Sequence, residues 1–186
     1  MRRDVLVIIA LGSLSAAASL AVSPDWRGLF GAALALLMLA IAIGDLRHLI
    51  VPNALTATAF ALALISAGTF DAAGPTEAVA IALLRAAATA LPLLALMVGY
   101  EWWRGRPGLG MGDVKLAAVA GAWLDWLTIA GVIEVAALTA LAAYAIWRFV
   151  LRRPIAVTTP LPFGLFLAPA IWAGWVAEIL LAPHRY

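Results

Sequence analysis

Cysteine is absent from the 186-residue sequence, and histidine occurs only twice, at His48 and His184. Without cysteine the chain cannot form disulfides, use a catalytic thiol or bind zinc through cysteine ligands. The two histidines lie far apart in the sequence and lack the spacing of a zinc site. We therefore predict no metal site and no cofactor.

Charged residues are also scarce. They make up 12% of the sequence against 66% hydrophobic residues, and the mean hydropathy is +1.05. A soluble domain of this size has to keep its surface polar, so it has no room for this much apolar area. We infer that lipid surrounds most of the chain. The net charge is only +2, and no basic stripe with interleaved aromatic residues appears, so we predict no nucleic-acid partner.

Long apolar runs recur along the chain. A membrane-spanning helix needs about 20 predominantly apolar residues. The runs predict an all-α, polytopic transmembrane helix bundle of about seven helices in one membrane domain, residues 1–186. They lie at approximately residues 5–22, 28–44, 54–70, 77–100, 114–124, 128–150 and 163–182. The fifth run is too short to cross a full bilayer comfortably.

The basic residues predict the orientation, because lysine and arginine are enriched in cytoplasmic loops. If the N-terminus is cytoplasmic and every run spans, only Arg27 and Arg185 lie outside, and Arg85 lies within a helix. Nine basic residues then lie inside, namely Arg2, Arg3, Arg47, Arg104, Arg106, Lys115, Arg148, Arg152 and Arg153. We expect a multi-pass membrane protein with a cytoplasmic N-terminus.

The first run allows a second interpretation. Two arginines, an apolar stretch and the small residues Ser19 and Ala21 also resemble a secretory signal peptide. Because the apolar stretch is long, we expect residues 1–27 to form a retained N-terminal anchor helix. The rest of the predicted topology is the same in either case.

Two carboxylates stand out by position. Asp45 ends the second run and Asp113 begins the fifth, so both lie at the predicted cytoplasmic boundary. An acid at this depth costs free energy to hold there, although less than at a helix centre. Gly110 and Gly112, just before Asp113, let another backbone approach closely. An extended substrate could lie against such a turn.

The residues around these acids resemble the type IV prepilin peptidase family in three motifs. The first has an aspartate and an arginine before a turn, the second is a Gly-x-Gly-Asp followed by Lys-Leu, and the third opens the last helix. In this sequence they are Asp45, Arg47 and Val51-Pro52-Asn53, then Gly110-Met111-Gly112-Asp113 with Lys115-Leu116, and finally Pro160-Leu161-Pro162-Phe163-Gly164. Val51 stands where the family usually has isoleucine.

The resemblance implies a membrane aspartyl endopeptidase of pilus biogenesis in the bacterial inner membrane. Such an enzyme removes the basic leader of prepilin-like precursors after a glycine, at the cytoplasmic face. It assigns catalysis to Asp45 and Asp113, and a six-helix protease core to residues 28–182. Bifunctional members have a cysteine-containing cytoplasmic insert that also N-methylates the product. With no cysteine and no room for that insert, the chain is similar to the short, tight-adherence pilus form.

Hydrolysis by two carboxylates needs one ionised and one protonated group. Asp113 begins a helix, where the helix dipole favours an anion, and Lys115 is nearby. Asp45 ends a helix, where the dipole disfavours an anion. We therefore expect Asp113 to act as the base and Asp45 as the initial acid.

Arg85 is predicted to lie within the membrane, where an unpaired charge is costly. Counted along their helices, Arg85 and Glu134 reach similar depths from the outer end, which predicts a structural ion pair between them. Glu178 is a second candidate partner, and extension of the arginine side chain to the membrane surface is a third arrangement.

Two other functions are compatible with the same acids. A proton-coupled transporter could use them as a relay, although such acids are expected near mid-membrane and often within inverted repeats. A signal-peptide-peptidase type of intramembrane protease also uses Gly-x-Gly-Asp, but it needs a Pro-Ala-Leu motif. Here Pro169-Ala170 is followed by isoleucine. The oligomeric state is left open.

Overall fold

The computed structural model describes residues 2–70, 74–106, 108, 110–150 and 162–181. All regular structure in these residues is helical, which confirms the predicted all-α bundle. The helices are α1 (Arg2–Val22), α2 (Trp26–His48), α3 (Asn53–Phe70), α4 (Pro75–Arg104), α5 (Met111–Trp123), α6 (Trp126–Ala145) and α7 (Gly164–Leu181), and α6 continues into a π-helical segment, Ile146–Val150.

Six of these helices are long and apolar enough to cross a membrane. The exception is α5, whose 13 residues extend only roughly 20 Å, as its short apolar run predicts. The protein is therefore a multi-pass membrane protein. Several residues used above lie outside the described residues, namely Arg152, Arg153, Pro160, Leu161, Ala182, His184 and Arg185.

The core lies where α2, α5 and α7 meet. Leu34 and Ile41 of α2, Leu116 of α5 and Ile171 of α7 are completely buried. Most of α5 is buried, because α3, α4 and α7 pack around it. A short helix surrounded in this way is held at a fixed position and depth, which matters because α5 carries Asp113.

Helices α4 and α5 run antiparallel in close contact. A Cβ atom on Gly121 would lie 2.5 Å from the backbone oxygen of Arg85, so only glycine permits this approach. On α5, Asp113 lies eight residues before Gly121. Because the helices are antiparallel, it is level with a position about eight residues after Arg85 on α4. From that level α4 continues for about eleven residues to Arg104. Asp113 therefore lies roughly 16 Å short of the end of α4.

The length of α4 sets the depth of this level. Its 30 residues extend roughly 45 Å, against about 30 Å for the hydrocarbon core of a bilayer. The part of α4 beyond the level of Asp113 is about as long as this excess, roughly 16 Å. If the rest of α4 crosses the hydrocarbon layer, Asp113 lies near its boundary, which is the depth that the sequence predicts.

Helix α1 packs against α2 and α7. Ser19 is fully buried, and its hydroxyl accepts a hydrogen bond from the indole Nε1–H of Trp172 at 3.0 Å. At the turn into α2, a Cβ atom on Gly28 would lie 1.8 Å from the Ser23 oxygen. These contacts tie α1 to the rest of the bundle.

Candidate functional site

Asp45 lies in the last turn of α2, which continues to His48 rather than ending at Asp45 as predicted. Its side chain is only 7% exposed. The Oδ2 atom accepts a hydrogen bond from the backbone N–H of Leu165 at 3.0 Å. Because Leu165 is in the first turn of α7, Asp45 lies at the C-terminus of one helix and the N-terminus of another.

Gly164 makes this contact possible. A Cβ atom at this position would lie 2.9 Å from Asp45 Oδ2 and 3.1 Å from its Cγ. Any other residue would push the carboxylate away from the end of α7. The glycine of the third motif therefore has a steric function in the site.

Asp113 is the third residue of α5 and is partly buried. The turn before it is held by a hydrogen bond from the Asp113 N–H to the Gly110 oxygen at 3.1 Å. A Cβ atom on Gly112 would lie 2.7 Å from Val51 Cγ2, so this glycine lets α5 pack against the α2–α3 turn. Burial raises the pKa of Asp113 to about 6, and the nearby Asp45 carboxylate adds to the increase.

Asp45 and Asp113 line one cavity of about 390 Å³, which we call the acid cavity. It lies at the end of the bundle where α2 ends and α5 and α7 begin, which we call the site end. All three sequence motifs contribute to its wall, through Asp45, Gly110, Gly112, Asp113, Lys115 and Phe163. The structure therefore brings together residues up to 118 positions apart in sequence.

The α2–α3 turn forms another part of the wall, with Leu49, Ile50 and Val51. Leu49 has a positive φ of 53°, which is uncommon for a branched side chain. Its N–H donates to the backbone carbonyl oxygen of Asp45 at 2.9 Å and so ends α2. This turn directs the chain back towards α3 immediately beside Asp45.

The remaining motif residues surround the acid cavity. Lys115 Nζ donates a hydrogen bond to Asn53 Oδ1 at 2.5 Å, which joins α5 to the first residue of α3. Pro52 precedes α3 and accepts a hydrogen bond from the Thr56 N–H through its oxygen. Arg47 is exposed and does not line the acid cavity. Pro162 accepts from the Leu165 N–H at 3.2 Å, which shapes the start of α7.

At the opposite end of the bundle, the predicted partner of Arg85 is wrong. Arg85 Nη1 lies 2.5 Å from Asp125 Oδ1, whereas Glu134 is an exposed residue of α6. The physical reason is the close α4–α5 packing, which brings Arg85 next to the turn that follows α5. Glu178, the second candidate, instead accepts a hydrogen bond from the Asp125 backbone N–H at 2.6 Å.

Sequence reasoning also missed the hydrogen bond from Leu165 to Asp45. The signal was present, since Pro162-Phe163-Gly164 marks a helix start, and the first N–H groups of a helix have no partner within it. What the sequence does not provide is the packing that brings this helix start to Asp45.

Two carboxylates that line one cavity can hydrolyse a peptide bond, provided that one is ionised and the other protonated. No group of three or more histidine, aspartate or glutamate side chains in the described ranges is placed to hold a metal ion. The residues that line the acid cavity thus offer general acid–base chemistry.

Comparison with known proteins agrees with this geometry. The model of the type IV leader peptidase family matches residues 32–151. A prepilin leader peptidase/N-methyltransferase of Aeromonas hydrophila is 31% identical over 173 residues, 92% of this chain and 56% of that protein. The protein of the same name from Burkholderia pseudomallei (strain 1026b) is 33% identical over 184 residues, 97% of this chain and 55% of that protein.

A third relative of that name, from Pectobacterium carotovorum subsp. carotovorum, is 33% identical over 131 residues, 70% of this chain and 45% of that protein. The chain spans about half the length of these relatives. No solved structure matches it. The matched region contains the first two motifs, with both acids of the cavity, and the chain belongs to the type IV leader peptidase family.

Proposed function

We propose that the protein is an aspartyl endopeptidase that removes leader peptides from prepilin-like precursors, with Asp45 and Asp113 as its catalytic residues. The observation that carries the proposal is that both carboxylates line one cavity at one end of the bundle. Family membership supports the reaction class, and the names of the relatives support the substrate class.

The finer features of the proposal follow the family resemblance and the charge pattern. Cleavage takes place after a glycine, at the cytoplasmic face of the bacterial inner membrane, with the N-terminus in the cytoplasm. Residues 28–182, which contain most of α2 and all of α3 to α7, form the protease core, and α1 is an additional anchor. The position of the acids near a membrane boundary supports a substrate whose leader stays in water, and it disfavours a mid-membrane proton relay.

We further propose roles for the two acids opposite to those expected from the dipoles of α2 and α5 alone. The end of α7 donates a hydrogen bond to Asp45, which stabilises its anion and offsets the unfavourable end of α2. Burial desolvates both acids, but for Asp113 the nearby Asp45 carboxylate adds to the rise of the pKa to about 6, which favours the neutral form of Asp113. In this assignment Asp113 donates its proton to the scissile carbonyl, and Asp45 accepts a proton from the attacking water.

Co-expression with a candidate precursor tests the proposed function. The wild type converts the precursor to a shorter form on a gel, and the mass of the product gives the bond that was cut. We expect that bond to follow a glycine. A precursor that keeps its full length with the wild type, while a relative from Aeromonas hydrophila processes it, would count against the proposal.

A further inference from the structure

An apolar groove lies beside the acid cavity, on the outer surface of the bundle between α3 and α5. Its volume is about 420 Å³. The residues that form it recur every three or four positions on each helix, so they make one continuous face, and they include Asn53, Thr56, Ala57, Phe60, Ala118 and Val119. Ala57 is exposed, so the groove opens to the surroundings of the protein.

The groove begins where the acid cavity ends. Lys115 lines both spaces, and its hydrogen bond to Asn53 forms the boundary between them. Apart from Thr56, whose hydroxyl donates to backbone oxygens at the start of α3, the polar residues of the groove lie at the end next to the acids. From this boundary the groove continues along α3 from Asn53 to Phe60, roughly 10 Å or two helical turns.

The depth of the site determines what can lie in this groove. We place Asp113 near a boundary of the hydrocarbon layer from the length of α4, and the groove extends from that level towards the opposite end of the bundle. A polypeptide that leaves the acid cavity in this direction enters lipid. Its backbone must then be helical and its side chains apolar, because hydrocarbon offers no hydrogen-bond partners.

We propose that the groove between α3 and α5 holds the apolar helix that follows the scissile bond of the substrate. This inference rests on the proposed function, and it adds where the precursor docks. The leader is basic and remains in the acid cavity and the water beyond it, while about two turns of the adjoining helix pack against Ala57, Phe60 and Ala118.

A bulky residue in the groove tests this proposal. Ala57→Trp fills it from an exposed position, where the substitution has little effect on folding. Ala142→Trp is the matched control. Ala142 is an exposed alanine of α6 that lies near the site end, as Ala57 does, and it does not line the groove. Each variant is assayed in proteoliposomes on two substrates, a full precursor and a water-soluble peptide that stops a few residues beyond the cleavage site.

We expect Ala57→Trp to lower kcat/KM for the full precursor by about tenfold or more, mainly through KM, because the helix loses its packing surface. Cleavage of the short peptide stays within about threefold of the wild type, and Ala142→Trp cleaves both substrates normally. An equal effect of Ala57→Trp on both substrates, or on neither, overturns the proposal. If the wild type cleaves neither substrate, the proposed function itself fails.

A lipid chain is the other possible occupant, and crosslinking distinguishes it from the substrate. A photoreactive benzophenone residue at position 57, in an Asp113→Asn background that does not consume the precursor, should crosslink to the precursor. The same residue at position 142 should not. Crosslinks at position 57 to lipid alone, with a precursor present in excess, contradict the docking of a substrate helix.

Discussion

At the scale of single residues, the acid cavity holds Asp113 in an environment that disfavours its charge. Its pKa in the folded protein is about 6, above the ordinary value of 3.8. The folded state therefore binds more protons than the unfolded state between these two values, and the stability decreases as the pH rises through that window. Above that window the ionised Asp113 lowers the stability of the fold.

Asp113→Asn should therefore stabilise the fold at pH 7.5 while it abolishes cleavage. We expect a gain on the order of 1–2 kcal/mol, less than the full pKa difference implies because Asp113 is only partly buried. Thermal unfolding in detergent at pH 7.5 and pH 4 measures it. At pH 4 most of the gain should disappear, because pH 4 lies close to the lower of the two pKa values, 3.8 in the unfolded chain and about 6 in the folded protein, between which the gain develops.

The same measurement tests the assignment of Asp113 as the proton donor. A gain of equal size at both pH values would show that the stabilisation does not come from removing a charge. If the Asp113→Asn protein is no more stable than the wild type at pH 7.5, the folded protein does not favour the protonated form of Asp113.

Gly164→Ala should impair cleavage without unfolding the protein. The added methyl group overlaps Asp45 Oδ2 and displaces the carboxylate from the end of α7. A displacement of about 1 Å at a reacting group can lower the rate by about 100-fold. Gly131→Ala in α6 is the matched control, because nothing lies within 4 Å of its added Cβ. Equal rates of precursor cleavage for the two variants would exclude the steric role of Gly164.

The residues of the site could be predicted from the sequence because their types and spacing carry the chemistry. An acid followed by a Pro-Asn turn, and an acid preceded by two glycines, identified Asp45 and Asp113 as a candidate pair. The proton assignment could not be predicted in the same way. It depends on burial and on the Leu165 N–H, which comes from a helix that begins 119 residues after Asp45.

At the scale of helices, the close packing of α4 against α5 determines which charges meet. Gly121 lets the two backbones approach, and Arg85 then reaches Asp125 in the turn after α5. A depth count along separate helices cannot detect this contact, because it ignores which helices are neighbours. The same packing fixes the level of Asp113, since α5 is too short to be positioned by the bilayer.

A double-mutant cycle distinguishes the two proposed partners of Arg85. Arg85→Ala and Asp125→Ala should be non-additive, with a coupling free energy of about 0.5–3 kcal/mol in unfolding. Arg85→Ala and Glu134→Ala should be additive, because Glu134 is an exposed residue elsewhere on α6. Additivity in the first cycle together with coupling in the second would restore the partner predicted from sequence.

At the scale of the whole molecule, the alternation of the helices places all chain segments of the acid cavity at one end of the bundle. The apolar runs were sufficient to predict this arrangement, because their number and order determine which helix ends lie on the same side of the bundle. The helix contacts that close the acid cavity cannot be predicted from such patterns, because they depend on side-chain shape.

The absence of cysteine makes the orientation simple to measure. A single cysteine introduced at the exposed position Arg106 should be cytoplasmic, and one at the exposed position Pro24 should be on the outside. In intact cells, a membrane-impermeant maleimide should label Pro24→Cys and leave Arg106→Cys unlabelled until the cells are lysed. The reverse pattern would place the acid cavity on the outer face.

The central claim is that Asp45 and Asp113 together hydrolyse the leader peptide bond. The most direct test reconstitutes the wild type, Asp45→Asn and Asp113→Asn in proteoliposomes with a purified precursor and follows the shortened product by mass spectrometry. We predict processing by the wild type and a loss of at least about 1,000-fold in each folded variant, because neither carboxyl group can replace the other. Processing at a comparable rate by either variant would contradict the account.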